Sequence, residues 1–193
     1  MPSNIEIKAI LTNRAATEAT AARLSDAGPE TIHQEDFFFS SNGARLKLHV
    51  LAPDYRESIR YERADIADAR RSRCLIARTP DPQILLEILT ATLGRTGVVR
   101  KTRTLYFAGQ TRIHIDQVAG LGDFLELEVV LQPEQSDADG KTIAAALLSD
   151  FGIDKEQLIG TAYVDLLARH SVRVRSGLIR TSSRRIADGD SND

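Results

Sequence analysis

The feature that most constrains this chain is an alternation of apolar and charged residues that recurs in short segments along much of its length. Side chains on a strand point alternately to opposite faces, so residues two apart share a face. At the amino terminus Ile5, Ile7, Ala9 and Leu11 alternate with Asn4, Glu6 and Lys8. Leu46, Leu48 and Val50 alternate with Arg45, Lys47 and His49. Lys101 and Arg103 fall together in Val98–Phe107. Arg112, His114 and Asp116 lie opposite Ile113 and Ile115 in Gln110–Val118. Glu126 and Glu128 lie opposite Leu125, Leu127 and Val129 in Gly122–Leu131. A period of two predicts strands.

Further strands are predicted at Ile32–Phe39, Glu57–Arg63 and Ser72–Arg78, bringing the number to about eight. Ser41-Asn42-Gly43 and Ala108-Gly109 are turn signals, and Pro53-Asp54 marks a connection. Four helices are predicted. The first runs from about Arg14 to a stop at Gly28-Pro29, and the second opens at Asp81-Pro82 and ends at Gly94. The others are Asp137–Phe151 and Lys155–His170. This inventory makes an α+β domain built on a large antiparallel sheet. The domain is expected to span residues 1–170, with residues 171–193 a polar tail that is disordered in part.

Composition removes several classes of function. Among 193 residues, Lys plus Arg number 25 and Asp plus Glu 27, for a formal net charge of −2. That balance argues against a nucleic-acid partner, which selects for a basic excess. The absence of Trp leaves few platforms for stacking bases. The single cysteine, Cys74, excludes an internal disulfide or a cysteine metal cluster and reads as a packing residue. No apolar run reaches the length of a membrane span and no secretory leader is visible, so a cytoplasmic protein without a membrane partner is expected.

The charged faces themselves admit two readings. Carboxylates two residues apart suit a hard divalent cation such as Mg²⁺ or Mn²⁺, and paired Lys and Arg suit polyphosphate oxygens. An antiparallel sheet with one solvated face would also carry charges there, joined in weak cross-strand pairs. On alternation alone the solvated face is the commoner arrangement.

Longer motifs bear on that choice. Asn4-Ile5-Glu6-Ile7-Lys8 resembles the opening Glu-x-Glu-x-Lys strand of the CYTH superfamily, with Asn at the first acidic position. Gly43-Ala44-Arg45-Leu46-Lys47-Leu48 is similar to that group's Arg-x-(Arg/Lys) strand. The resemblance continues through Val98–Arg103 with Leu105-Tyr106, through Ile115–Glu128, and through Ala162–Leu167, in order over residues 4–168. The superfamily includes class IV adenylate cyclases, thiamine triphosphatases and inorganic triphosphatases. The resemblance implies an eight-stranded antiparallel β-barrel with flanking helices, a tunnel whose centre binds a triphosphate with one or two divalent metals. Glu6, Glu126 and Glu128 would be the metal carboxylates, with Asp116 a further metal or water-positioning group. Lys8, Arg45, Lys47, Lys101, Arg103 and Arg112 would hold phosphate oxygens. Arg60 joins that set, with Arg63 and Arg73 as alternatives of undecided facing. Lys8, Arg112 and Asp116 are the candidates for direct catalytic contact.

The implied activity is class IV adenylate cyclase-like, converting ATP to cyclic AMP and pyrophosphate with Mg²⁺ or Mn²⁺. A triphosphatase for tripolyphosphate or thiamine triphosphate is the alternative. Asn4 motivates a third, a triphosphate-binding module without turnover. His49 and His114 share the charged faces, where a histidine is either a proton shuttle or, as expected here, hydrogen-bonded in a polar core. The expected inward set holds seven cations and four carboxylates, a net +3, which leaves −5 for the rest of the chain.

Overall fold

The alternating segments form strands, and the strands close on one another. In the computed structural model, residues 3–40, 45–52, 55–62 and 70–171 are described, with side chains at 4–40, 46–50 and 77–171. The strands are β1 (Ser3–Ile10), β2 (Ala27–Phe39), β3 (Arg45–Ala52) and β4 (Tyr55–Glu62). They continue with β5 (Arg70–Arg78), β6 (Arg95–Ala108), β7 (Thr111–Val118) and β8 (Gly122–Val130). They form a closed barrel in the order β1-β5-β4-β3-β2-β6-β7-β8, with β8 returning to β1. Every neighbouring pair is antiparallel. Closure leaves each strand with one face outside and one inside the barrel.

Among the described residues the outer faces of β1, β2, β3, β7 and β8 are apolar because they are covered by helices. Three of them are α1 (Arg14–Leu24), α2 (Pro82–Leu93) and α3 (Asp137–Asp150), and residues 163–171 form a fourth, α4. Each of the first three begins at a residue that satisfies a free backbone N–H. Asn13 accepts from Ala16 N at 3.1 Å, and Asp81 accepts from Ile84 N at 3.2 Å. Ser136 and Asp139 form a reciprocal capping box. Helices α1 and α3 pack over Ile5, Ile7, Ile113, Ile115, Leu125, Leu127 and Val129. Burial of each large aliphatic side chain here contributes about 1.5–3 kcal/mol. Helix α3 lies so close that a Cβ at Gly140 would stand 2.6 Å from both Ile5 and Leu131. Leu85, Leu86 and Leu89 of α2 pack over Phe37, Phe39 and Leu48.

Three expectations need correction. Helix α1 ends at Leu24, and Gly28-Pro29 lies inside β2 instead of stopping a helix. The chain there runs against β6, where Gly28 has φ +113 and any Cβ would meet Leu105 O at 2.8 Å. Only glycine tolerates both the conformation and the approach. The expected helix Lys155–His170 is instead a single 3₁₀ turn, Lys155–Gln157, followed by an extended stretch and then α4. The break has a partner: Ile159 N donates to Lys8 O at 2.9 Å, and Leu158 bridges Ala9. The segment is held as an extension of the sheet, which a helix could not supply. Strand β2 also starts five residues earlier than expected, and Ser41-Asn42-Gly43, Pro53-Asp54, Arg63 and the tail from 172 lie outside the described residues. Among the described residues no helix is long and apolar enough to cross a membrane.

Candidate functional site

Because the barrel is closed and the described outer faces of β1, β2, β3, β7 and β8 are packed, the charged faces of these strands meet inside it. Register brings them into pairs: Lys8 faces Glu126 and Glu6 faces Glu128 across β1 and β8. Arg103 faces Asp116 across β6 and β7, while His114 and Arg112 face Glu126 and Glu128 across β7 and β8.

Asp116, fully buried, is the hub. Its oxygens accept from Lys101 Nζ at 2.6 Å, from Arg103 Nε and Nη2 at 2.6 and 2.7 Å, and from the Tyr163 hydroxyl at 3.1 Å. Arg103 also reaches Glu126 at 2.7 Å, and Lys8 Nζ lies 3.5 Å from Glu126. Burial opposes ionisation of Asp116 and Glu126, but the cations around them win and hold both carboxyls below their ordinary range. Burial lowers Lys101, with Arg103 adding repulsion, whereas the paired carboxylates overcome burial at Arg103 and raise it.

His114 is wedged between the two glutamates of β8, 3.9 Å from Glu126 and 4.0 Å from Glu128. Burial, assisted by Arg103, pushes it down to about 4, so it is neutral at neutral pH. Its Nδ1 is buried without a hydrogen-bond partner.

A second centre was missed in the sequence. Asp36 of β2 is buried and accepts from Lys47 Nζ at 3.0 Å, from Gln34 Nε2 at 3.0 Å and from His49 Nδ1. Although burial opposes it, Lys47 and the His49 contact hold this carboxyl well below its usual range. Asp36 adds a fifth carboxylate to the expected interior set and lowers its net charge by one. The five cations whose side chains are described, Lys8, Lys47, Lys101, Arg103 and Arg112, stand against five carboxylates. Arg45 lies on β3 in step with Lys47, but the expectation for Arg60 needs correction. In the register Arg60 of β4 is opposite Leu46 and Arg73 of β5 is opposite Ser3, positions of the outer face, because β4 pairs with β3 through its odd-numbered residues on the inner face.

The interior is polarised from end to end. At one end Phe38, Val99, Val118, Phe124 and Tyr163 form an apolar cluster, backed by Val164, Leu166 and Leu167 of α4. The Lys8 ammonium sits 3.7 Å from the centroid of the Tyr163 ring, and Lys101 sits 5.2 Å from it. Tyr163 is thus a second site residue whose role was not read from the sequence, because it arrives on a helix about 35 residues beyond Glu128. At the other end Arg112, whose side chain is 46% exposed, pairs with Glu128 at 3.2 Å. Asn4 Nδ2 also donates to Glu128.

Divalent metal would suit that more open end best. Burial raises Glu128, with Glu6 and Glu126 adding repulsion that Arg112 offsets only in part, so positive charge is wanting. Asn4 Oδ1 is buried there with no hydrogen-bond partner. A hard cation takes carboxylate and amide oxygens alike, so Asn4, Glu6 and Glu128 fit one, with Glu126 beside them. Asp116 is differently placed, since cations and a phenol already occupy its oxygens. Among the described residues no three His, Cys, Asp or Glu side chains form a ready-made metal cluster.

Solved structures share this architecture. A Pyrococcus horikoshii OT3 protein, PH1012, superposes with a TM-score of 0.76 at 22% identity, over 84% of this chain and 98% of its own. A candidate adenylate cyclase from Vibrio parahaemolyticus has a TM-score of 0.71 at 19% identity, over 86% and 97%. HpAC1 from Hippeastrum, a candidate adenylyl cyclase described as having a dominant triphosphatase activity, has a TM-score of 0.58 at 14% identity, over 79% and 89%. No curated protein matches the chain in sequence. The CYTH domain model matches residues 3–163, nearly all of the barrel and its closing segment, and the chain belongs to that family.

Proposed function

We propose that this protein is a metal-dependent triphosphatase that takes a linear triphosphate terminal phosphate first. The observation that carries this reading is the polarity of the tunnel. Lys8 and Lys101 crowd against an apolar stop made by Tyr163 and Phe124, while exposure rises toward Arg112. Among the described residues the deep end is filled by the packed Tyr163–Phe124 cluster, which leaves an organic group to the Arg112 end, so the phosphate chain enters ahead of it. The terminal phosphorus then lies deepest, among Lys8, Lys47, Lys101 and Arg103.

Phosphoryl transfer depends on positioning and charge neutralisation more than on covalent help from the protein. In the free protein Lys8, Lys47, Lys101, Arg103 and Arg112 each have a carboxylate partner. Phosphate oxygens would take the place of those partners without a large rearrangement, because Asp116 already fixes Lys101 and Arg103. Arg112 would hold the outer phosphates, and Arg45, which shares the Lys47 face of β3, is a further candidate. A divalent cation held by Asn4, Glu6, Glu126 and Glu128 would supply neutralisation of the phosphate charge.

The class IV cyclase reading is second. It is favoured by the carboxylates and Arg112 at the open end, where the α-phosphate of a threaded nucleoside triphosphate would lie. Incubation with tripolyphosphate, thiamine triphosphate and ATP, with Mg²⁺ or Mn²⁺, separates the readings. Orthophosphate is expected. Cyclic AMP with pyrophosphate from ATP would replace the triphosphatase by the cyclase, and binding without product would leave a binding module. Hippeastrum HpAC1, described as a candidate cyclase with dominant triphosphatase activity, supports testing for both products in one assay.

A further inference from the structure

Positioning of phosphates by cations gives no task to the Asp36–His49 pair, and its geometry points to one. Asp36 is 5% exposed and accepts three side-chain donors, one of them the ring nitrogen Nδ1 of His49. An ionised carboxylate only accepts, so Nδ1 carries the imidazole proton and Nε2 is left with a lone pair. Nε2 has no partner among the described residues. The imidazole shares the interior face with Lys47, its neighbour on β3.

We propose that His49 is the general base of the triphosphatase and that Asp36 is its positioning residue. The inference rests on the triphosphatase reading. Water gives a proton to His49 Nε2 as its oxygen bonds to the terminal phosphorus. The bond from that phosphorus to its bridging oxygen breaks, and the electron pair leaves with the shortened phosphate chain. The imidazolium then gives its proton to solvent or to an oxygen of the released orthophosphate, so neither oxidant nor further reactant is needed. Asp36 steadies the ring and the cation it becomes, as a buried carboxylate does for a histidine base elsewhere.

The surroundings keep the base form available. Burial lowers His49 below the ordinary histidine value, and Lys47 and Lys101 add to this while Asp36 opposes it. The groups facing it are Asp36 on β2, Lys47 on β3 and Lys101 on β6, and Glu57 is its register partner on β4. His114 is a poorer candidate, since glutamates and Arg103 enclose it on β7 and β8.

The test is the pH–rate profile of tripolyphosphate hydrolysis by the full chain and two variants. His49→Gln should lower kcat at least about a hundredfold, the range of a lost general base. Its KM should stay within about threefold, and the acidic limb of the wild-type kcat profile should disappear. Asp36→Asn should lower kcat and move that limb, because an amide no longer selects the Nδ1–H tautomer. A second measurement needs no variant: ¹⁵N spectra of the wild type should show His49 as the Nδ1–H tautomer at pH 7.5. An Nε2–H tautomer, a kcat within about threefold of wild type, or a retained acidic limb would overturn the assignment. An active wild type with an unaffected His49→Gln variant removes only the base. A wild type that hydrolyses no triphosphate removes the triphosphatase reading and the base with it.

Discussion

Acid should weaken this fold through His114 before it reaches the carboxylates. In the unfolded chain the imidazole has its ordinary value of 6.5, and in the barrel it is pushed down to about 4. Between those values the unfolded state binds the extra proton and the folded state does not. Stability from this group is therefore complete above pH 6.5 and is lost as pH falls toward 4. The interval of about 2.5 units, at about 1.36 kcal/mol each, gives a loss of about 3 kcal/mol by pH 4. Asp36, Asp116 and Glu126 have lowered folded values, so their stabilisation is lost mainly below the ordinary carboxylate range. Glu128 is raised and has the opposite sign, and His49 shares the sign of His114. All of these remain in a His114→Gln variant, so the difference between the two proteins isolates His114 to first order. Urea unfolding in EDTA at intervals from pH 8 to pH 4 measures that difference. Wild type should lose about 3 kcal/mol more than the variant over this range. Parallel stability curves, or an NMR titration midpoint for His114 above 6, would refute the reasoning.

Other expectations are shorter to state. Asp116→Asn leaves Lys101 and Arg103 short of their buried counter-charge and should cost about 3–5 kcal/mol in urea unfolding, with loss of tripolyphosphate hydrolysis. Tyr163→Phe removes one hydrogen bond to Asp116 and should cost only about 1 kcal/mol, whereas Tyr163→Ala empties the closed end and should cost about 3–5 kcal/mol. Gly140→Val forces side-chain atoms into Ile5 and Leu131 and should lower stability by about 1–3 kcal/mol or more, read as a drop in Tm. Chelation with EDTA should abolish hydrolysis reversibly, with Mg²⁺ or Mn²⁺ restoring it; activity undiminished by EDTA would count against a metal at Glu6 and Glu128.

The strands and many of the inward-facing residues were legible because the strand period is two. Once Ile5 and Ile7 face a helix-covered exterior, Glu6 and Lys8 have no other place than the interior. The same rule gave Lys47, Lys101, Arg103, Arg112, Asp116, Glu126 and Glu128. It failed at Asp36, where Phe37, Phe38 and Phe39 run together. Phe37 and Phe39 pack outward under α2 while Phe38 joins the apolar stop inside, and three consecutive aromatics erase the period.

The sequence by itself therefore determined which residues share a face, since that follows from backbone geometry alone. The tertiary structure decided what those faces meet. Closure of eight strands turned a face that could have been solvated into a tunnel, where burial makes each ion pair matter. It also brought Asp36 of β2 to His49 of β3, and the Tyr163 hydroxyl of α4 to Asp116 of β7. Those contacts span 13 and 47 residues of the chain, and no local pattern encodes them. Packing α4 against the barrel end, where a Cβ at Gly97 would stand 2.5 Å from Val164, builds the apolar cluster at that end, and no local pattern in the strands announces it.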